Sequence, residues 1–330
     1  MQYLVVGSGS IGRRHLANLR ALQPDAHITL LQRADSATRA DQFDVQPDRI
    51  VHSLADALQQ PITAAIVASP ATKHLETAIP LIRHGAHVLL EKPIAADASG
   101  LAELFAVCDA NERILMVAYN LRFHPALRAM KRALDNNQIG RILSLRAEVG
   151  QYLPDWRPGS DYRTGCSAQK KLGGGVLLEL SHELDYVQWL LGPAQSVSAI
   201  VDRVSDLEID VSDIAVLNIR FESGAIGSVH LDFIQRTPFR QCRVIGTDGT
   251  LQWDAIAGDV SIVRAGAEWQ QLPAESAADR NQMYLDELSH FLDCIQNGTQ
   301  PIVTGSDGAR ALRLALAAEE SSRSGETVAL

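Results

Sequence analysis

Four things are scarce in this chain, and each scarcity removes a class of function. No apolar run approaches the ~18 to 20 residues that a bilayer-crossing helix needs. The N-terminus, Met1-Gln2-Tyr3-Leu4-Val5-Val6, enters a strand pattern with no basic leader ahead of it, so a cytoplasmic location is expected. Cysteine is sparse: Cys108, Cys166, Cys242 and Cys294 stand far apart with no Cys-x-x-Cys step, which speaks for reduced structural thiols and against a disulfide framework or a zinc site. Positive charge is in deficit, 30 Lys plus Arg against 39 Asp plus Glu for a net −9, so neither nucleic acid nor an anionic membrane is expected as a partner. What remains is an ordinary globular composition, 46% apolar and 21% charged over 330 residues, enough for two domains with a core each.

The first half alternates. Residues 3–6 form an apolar strand that runs into Gly7-Ser8-Gly9-Ser10-Ile11-Gly12, and Ile11, Leu16, Leu19 and Leu22 then recur at helical spacing. A G-x-G-x-x-G between strand and helix is a dinucleotide cradle. Gly7 permits the tight turn, Gly9 lets the backbone approach a pyrophosphate, and Gly12 lets helix and strand pack closely. Ser10 and Ile11 begin the helix whose free N–H groups meet the phosphates. The second strand, residues 28–31, ends at Gln32-Arg33, about 20 residues past the glycines, where an NAD site usually carries an acid. With no carboxylate and an available guanidinium, the cofactor is NAD or NADP, NADP being slightly favoured; Arg33 either pairs with a 2′-phosphate or points to water. Further strands are expected at 64–68, 87–90 and 114–118, with helices at 72–84 and after Asp97, which can cap the second of these. Such repeats give a parallel sheet with helices on both faces and ligands at the carboxyl ends of its strands. Ser69-Pro70, Glu91-Lys92-Pro93 and Asn120 fall at such ends.

At this point the sequence resembles the Gfo/Idh/MocA family of sugar and cyclitol oxidoreductases. The resemblance rests on GSGSIGRRH (7–15), ASPATKH (68–74), GAHVLLEKP (85–93), YNLRFHP (119–125), a GGG…HELD run (173–185) and FLDCIQNGTQPIVTGSDG (291–308), and it spans nearly the whole chain. It implies an α/β protein: a Rossmann doubly wound parallel sheet in residues 1–122, and a C-terminal α/β domain on an open, mostly antiparallel mixed sheet in residues 123–330, which supplies substrate contacts and an oligomer face. Its C-terminal helices return towards the first domain. The resemblance further implies that Lys92 holds or polarises the substrate hydroxyl, and that Ser69, Pro70, His74, Glu91 and Asn120 line the cofactor.

A strand over 142–149 and, further on, consecutive strands without helices between them from residue 196 to 263 agree with a mixed or antiparallel second sheet. A glycine run, Gly173-Gly174-Gly175, leads into a helix over 176–191 that carries Glu179, His182, Glu183 and Tyr186 on one side. His182 alone reads either as a packing or capping histidine or as the group that takes the hydroxyl proton; His182 with Asp185 matches the family's His-x-x-Asp step and implies the latter. Most relatives have an Asp four residues before this His, where this chain has Leu178, so Glu179 is the candidate acidic partner. The loop over 151–163 sets Tyr152, Trp156, Arg157, Tyr162 and Arg163 among prolines and glycine. It reads as a substrate loop or as a subunit-contact arm, and as a substrate loop, with Arg122 of the YNLRFHP motif, it points to an anionic sugar derivative such as a nucleotide sugar or a sugar acid. The expected activity is hydride transfer between nicotinamide and a secondary hydroxyl or ketone, without a metal, in a homodimer or homotetramer. The alternatives are a sugar hydrolase or lyase that cycles a tightly bound NAD, and a dinucleotide-binding sensor without catalysis.

Overall fold

The strand β1 (Gln2–Val6) is buried at four of its five residues and lies at the centre of the first sheet. The computed structural model describes residues 1–34, 43–274 and 279–330. The chain divides into two compact units, Met1–Asn120 with Arg280–Ala309, and Leu121–Asp279 with Arg310–Leu330. The boundary thus follows Asn120 rather than residue 122, and the segment Arg280–Ala309, assigned from sequence to the second domain, belongs to the first unit.

In the first unit β1 is followed by α1 (Ser10–Leu22), β2 (His27–Leu31), β3 (Arg49–Val51), α2 (Leu54–Ala57), β4 (Ala64–Val67), α3 (His74–Arg83), β5 (His87–Glu91), α4 (Leu101–Asn111) and β6 (Leu115–Ala118). All six strands are parallel, in the order β3-β2-β1-β4-β5-β6, so the strand order reverses between β1 and β4. That reversal opens a crevice at the carboxyl ends of β1 and β4, where doubly wound sheets bind their ligands. β4 and β6 are buried at every residue, as helices on both faces of a parallel sheet require. Asp97 does not cap α4. Gly100 holds that position, and the Asp97 carboxylate instead accepts from the backbone and hydroxyl of Ser99 in the preceding turn.

α8 (Gln282–Asn297) packs along α1. Asn18 and Asn281 exchange side-chain hydrogen bonds, and the Arg14 guanidinium lies 4.4 Å above the Tyr284 ring. One group on α8 is out of character with its surroundings. Glu287 is fully buried, neither of its carboxyl oxygens has a hydrogen-bond partner, and burial, reinforced by the charge of Glu91, pushes its pKa well above the ordinary carboxyl range. A carboxyl raised in the folded state adds stability at low pH and loses it as pH climbs from the unfolded value through the folded one. Replacing Glu287 by Gln removes that loss. The variant is expected to melt at a higher temperature than the parent at pH 8 and to lose this advantage at pH 4.5, read from thermal melts at the two pH values.

The second unit holds α5 (Pro125–Asp135), β7 (Ile142–Gly150), α6 (Val176–Glu179), α7 (Ser181–Leu191), β8 (Ala194–Asp202), β9 (Ile214–Phe221), β10 (Ile226–Asp232), β11 (Phe239–Gly246), β12 (Gly249–Asp254), β13 (Asp259–Arg264), β14 (Gln270–Gln271) and β15 (Val328–Ala329). α9 (Gly305–Ser324) begins in the first unit and ends in the second. The sheet runs β14-β13-β12-β11-β7-β10-β9-β8-β15, with β7 and β10 parallel and the remaining pairs antiparallel. Alternate residues, among them Leu217, Ile219, Phe221, Val229, Leu231 and Trp253, form the buried face against α5, α6 and α7. The helix expected over 176–191 is broken at Leu180 (φ −97°, ψ 27°) into α6 and α7. No helix among the described residues is long and apolar enough to cross a membrane.

Candidate active site

In the first unit the candidate residues gather at one edge of the sheet because β1, β4, β5 and β6 are neighbours and each ends there. Gly7 follows β1 with φ +103°, and a Cβ on it would lie 2.6 Å from the Ala68 carbonyl oxygen, so only glycine lets this turn pass under the end of β4. At Gly9 the opposite holds. Nothing lies within 4 Å of where its Cβ would be, and Gly9 caps α1, whose first-turn N–H groups at Ser10, Ile11 and Gly12 have no partners of their own within the helix. That is a space bounded by donors and free of acid, suited to a pyrophosphate. Beyond β4 and β6 the buried Ser69 Oγ and the Asn120 Oδ1 also lack hydrogen-bond partners. Two unsatisfied buried polar atoms flanking the end of β5 are costly unless a ligand meets them. The residues present therefore fit a dinucleotide. At the end of β2 Gln32 is buried and Arg33 is exposed.

Glu91 and His74, expected to line the cofactor, are turned inward. Glu91 Oε1 lies 2.7 Å from Nε2 of the fully buried His15, and Glu91 Oε2 accepts from the Lys92 N–H at 3.2 Å. Burial pushes the Glu91 carboxyl up, but the His15 hydrogen bond and the nearby cationic groups outweigh it and hold it below the ordinary value, so it is ionised. His74 is 1% exposed, with both ring nitrogens on backbone carbonyls. Lys92, half-buried at the end of β5, remains the cation presented next to this ionised acid. His15 was visible in the sequence only as part of the GRRH run; the usable signal was a polar residue four positions after Ile11 on the helix's apolar face.

In the second unit the break at Leu180 separates Glu179 from the His182 helix. Gly174 packs against the chain at Cys166 and Ser167, where a Cβ would lie 2.7 Å from the Ser167 carbonyl oxygen. The Ser167 hydroxyl donates to Glu179 Oε2 at 2.9 Å. Glu183 and Tyr186, placed from sequence on the same side as His182, face the interior. Glu183 is fully buried and receives two bonds from Arg240 (2.8 and 3.0 Å), while Tyr186 packs edge-on to Trp253. Asp185 is likewise spent, gripped by Arg122 through Nε at 2.9 Å and Nη2 at 2.6 Å. Arg122 is therefore a buried structural cation rather than a substrate contact. His182, at the start of α7, is half-buried.

The loop from 151 to 163 is partly committed as well. The Tyr152 ring lies under Arg236 at 3.7 Å, and Trp156 donates to the Gln151 carbonyl and stands edge-on to Phe233. Tyr162 accepts from the Glu208 N–H, and Arg163 is bound by Asp161 and Glu208. That leaves Arg157 as the loop's uncommitted cation: no carboxylate among the described residues pairs with it. It lines a cavity of about 190 Å³ with Leu153, Trp156, Tyr162, Thr164 and Ser167.

Two sequence models of one family match this chain. The NAD-binding Rossmann fold of the oxidoreductase family covers residues 1–119, and the family's C-terminal alpha/beta domain covers residues 131–330. The chain belongs to the Gfo/Idh/MocA oxidoreductase family. This Gfo/Idh/MocA oxidoreductase is 25% identical over 335 residues to the myo-inositol 2-dehydrogenase of Thermotoga maritima, the match covering 97% of this chain and 96% of the relative. Its fold is that of levoglucosan dehydrogenase in complex with NADH and levoglucosan (TM-score 0.88, 21% identity, 100% and 99% coverage). It is also that of the WlbA dehydrogenase from Bordetella pertussis in complex with NADH and UDP-GlcNAcA (TM-score 0.84, 22% identity, 100% and 98% coverage). The oxidoreductase is thus an NAD-binding enzyme of two α/β units.

Proposed function

We propose that this oxidoreductase moves a hydride between the nicotinamide of NAD and a secondary hydroxyl or ketone of a sugar or cyclitol. The observation that carries the reading is the dinucleotide cradle with Lys92 at the end of β5, in a chain matched over its length by sugar and inositol dehydrogenases. NAD, when bound, accepts or returns the hydride. The protein's part is alignment and one proton. The Lys92 ammonium steadies the substrate oxygen, and His182 takes its proton during oxidation and returns it during reduction. Glu179 is assigned as the acidic group that assists His182. At the end of β2, Gln32 and Arg33 present no carboxylate to a 2′-phosphate, which leaves room for NADP beside NAD.

The substrate class we assign is anionic, a sugar acid or a nucleotide sugar, and Arg157 is the support for it. An unpaired guanidinium beside Trp156 and Tyr162 suits a ring bearing a carboxylate or phosphate. Adding NAD with a panel of inositols, neutral sugars, sugar acids and nucleotide sugars, followed at the reduced-nicotinamide absorbance, tests the whole reading. Turnover of an acidic member supports it, turnover of neutral sugars alone removes the anionic assignment, and product without net nicotinamide change indicates a cofactor-cycling hydrolase or lyase. Arg157→Met is expected to raise KM for the acidic substrate by about tenfold with kcat little changed, since a charged hydrogen bond lost from ground state and transition state alike acts on KM. We place the enzyme in the cytoplasm as a homodimer or homotetramer. The outward sheet face, where Ile200 and Ile226 are exposed, is the surface assigned to contact with a second copy.

A further inference from the structure

His74 opens α3 and is sealed from solvent, 1% exposed, yet its ring is not idle. Nδ1 lies 2.9 Å from the carbonyl oxygen of Pro93, and Nε2 lies 2.8 Å from the carbonyl oxygen of Ser69. A carbonyl oxygen can only accept, so each nitrogen must carry a hydrogen to make its contact attractive, and a neutral imidazole has one such hydrogen. We propose that His74 is held as an imidazolium and that, by donating from both ring nitrogens, it acts as a positioning residue fixing the Ser69-Pro70 turn against the Lys92-Pro93 turn.

Burial of the ring is the largest influence on His74 and pulls its pKa below the ordinary imidazole value, and the positive end of α3 acts in the same sense. Against it stand the backbone groups of Ser69, Pro93 and Ile94 and the ionised carboxylate of Glu91, and it is the contact geometry, not the burial, on which the proposal stands. The contacts decide between them. In the neutral ring one nitrogen would aim a lone pair at a carbonyl oxygen less than 3 Å away, in a site closed to water, so neutrality would cost a buried repulsion as well as a hydrogen bond. The two turns end adjacent strands, β4 and β5, and carry the orphaned Ser69 hydroxyl on one side and Lys92 on the other. A bridge between them sets how far apart those two groups stand, something the strand ladder governs only up to Val67 and Leu90.

The inference rests on the proposed function only for what the bridge serves; the protonation state is independent of it. The test uses full-length protein labelled with 15N at its 10 histidines, with and without NAD, and long-range proton–nitrogen correlation at pH 7.5. Side-chain to backbone correlations assign His74, so the assignment does not depend on any variant folding. The expected result is protonated-type shifts at both nitrogens; one unprotonated nitrogen overturns the proposal. In a second measurement, His74→Gln, which cannot donate in two opposite directions, is expected to bind NAD about tenfold more weakly, the loss of one charged hydrogen bond's worth of positioning. NAD affinity unchanged in a folded His74→Gln protein overturns the positioning role. Neither measurement needs a substrate, so absence of sugar turnover would count against the proposed reaction and leave this inference standing.

Discussion

Replacing Lys92 by Met is expected to leave NAD bound with unchanged affinity and to lower turnover by about a thousandfold, the loss typical of removing one preorganised charge from a reacting oxygen. Methionine keeps an unbranched stem of similar length at the end of β5, so local packing is disturbed little. It also keeps the Lys92 backbone N–H, and with it the bond to Glu91 that closes this turn. What disappears is the ammonium alone. Glu91 retains His15 as its partner, so the variant leaves no buried carboxylate unpaired. Fluorescence titration with NAD and steady-state kinetics on the substrate identified from the panel check the two halves separately. Turnover within tenfold of the parent would take Lys92 out of the chemistry, and lost NAD affinity would make it a binding residue instead.

Arg122→Met is expected to destabilise the second unit by about 3 to 5 kcal/mol, the cost of leaving one member of a buried ion pair without the other. The side chains of Arg122 and Asp185 are 5% and 2% exposed, and the guanidinium also lies over the Trp189 ring. Once Arg122 is gone, the buried Asp185 carboxylate loses both guanidinium bonds. The double variant Arg122→Met with Asp185→Leu is expected to recover most of the loss, because two apolar side chains need no desolvation of charge. Urea unfolding followed by circular dichroism reads both. The alternative role, a substrate contact, predicts the reverse pattern: a raised KM for an anionic substrate at unchanged stability, with no rescue from the second substitution.

Sequence motifs and the folded chain part over which charges already have partners. Arg122, His74, Glu91 and Arg163 were all singled out from motifs or loop composition, and each is a strongly polar group beside the expected cleft. In the folded chain Arg122 is held by Asp185, His74 by two carbonyls, Glu91 by His15, and Arg163 by Asp161 and Glu208. A motif records that a charged residue is needed at a position; it does not distinguish a group that meets a ligand from one that holds the wall behind it. The break at Leu180 had the same effect on the second unit. An unbroken helical wheel through 176–191 puts Glu179, His182, Glu183 and Tyr186 on one face, whereas the break takes Glu179 out of that wheel, and within α7 Glu183 and Tyr186 are buried while His182 is half-buried.

The parallel first sheet, the mixed second sheet and the dinucleotide cradle were legible in the sequence because their causes are local. Strand and helix periods repeat within a few residues, and a glycine is demanded wherever the turn after β1 must pass a neighbouring backbone. The resemblance implied that the C-terminal helices return to the first domain, but which residues do so (Arg280–Ala309), the inward turn of the motif charges and the isolation of Arg157 were decided by the tertiary structure alone. The partners of Glu91 and Arg122 lie far along the chain, 76 residues from His15 to Glu91 and 63 from Arg122 to Asp185. Electrostatic pairing acts through space, and only the packed core brings such groups within a hydrogen bond of one another.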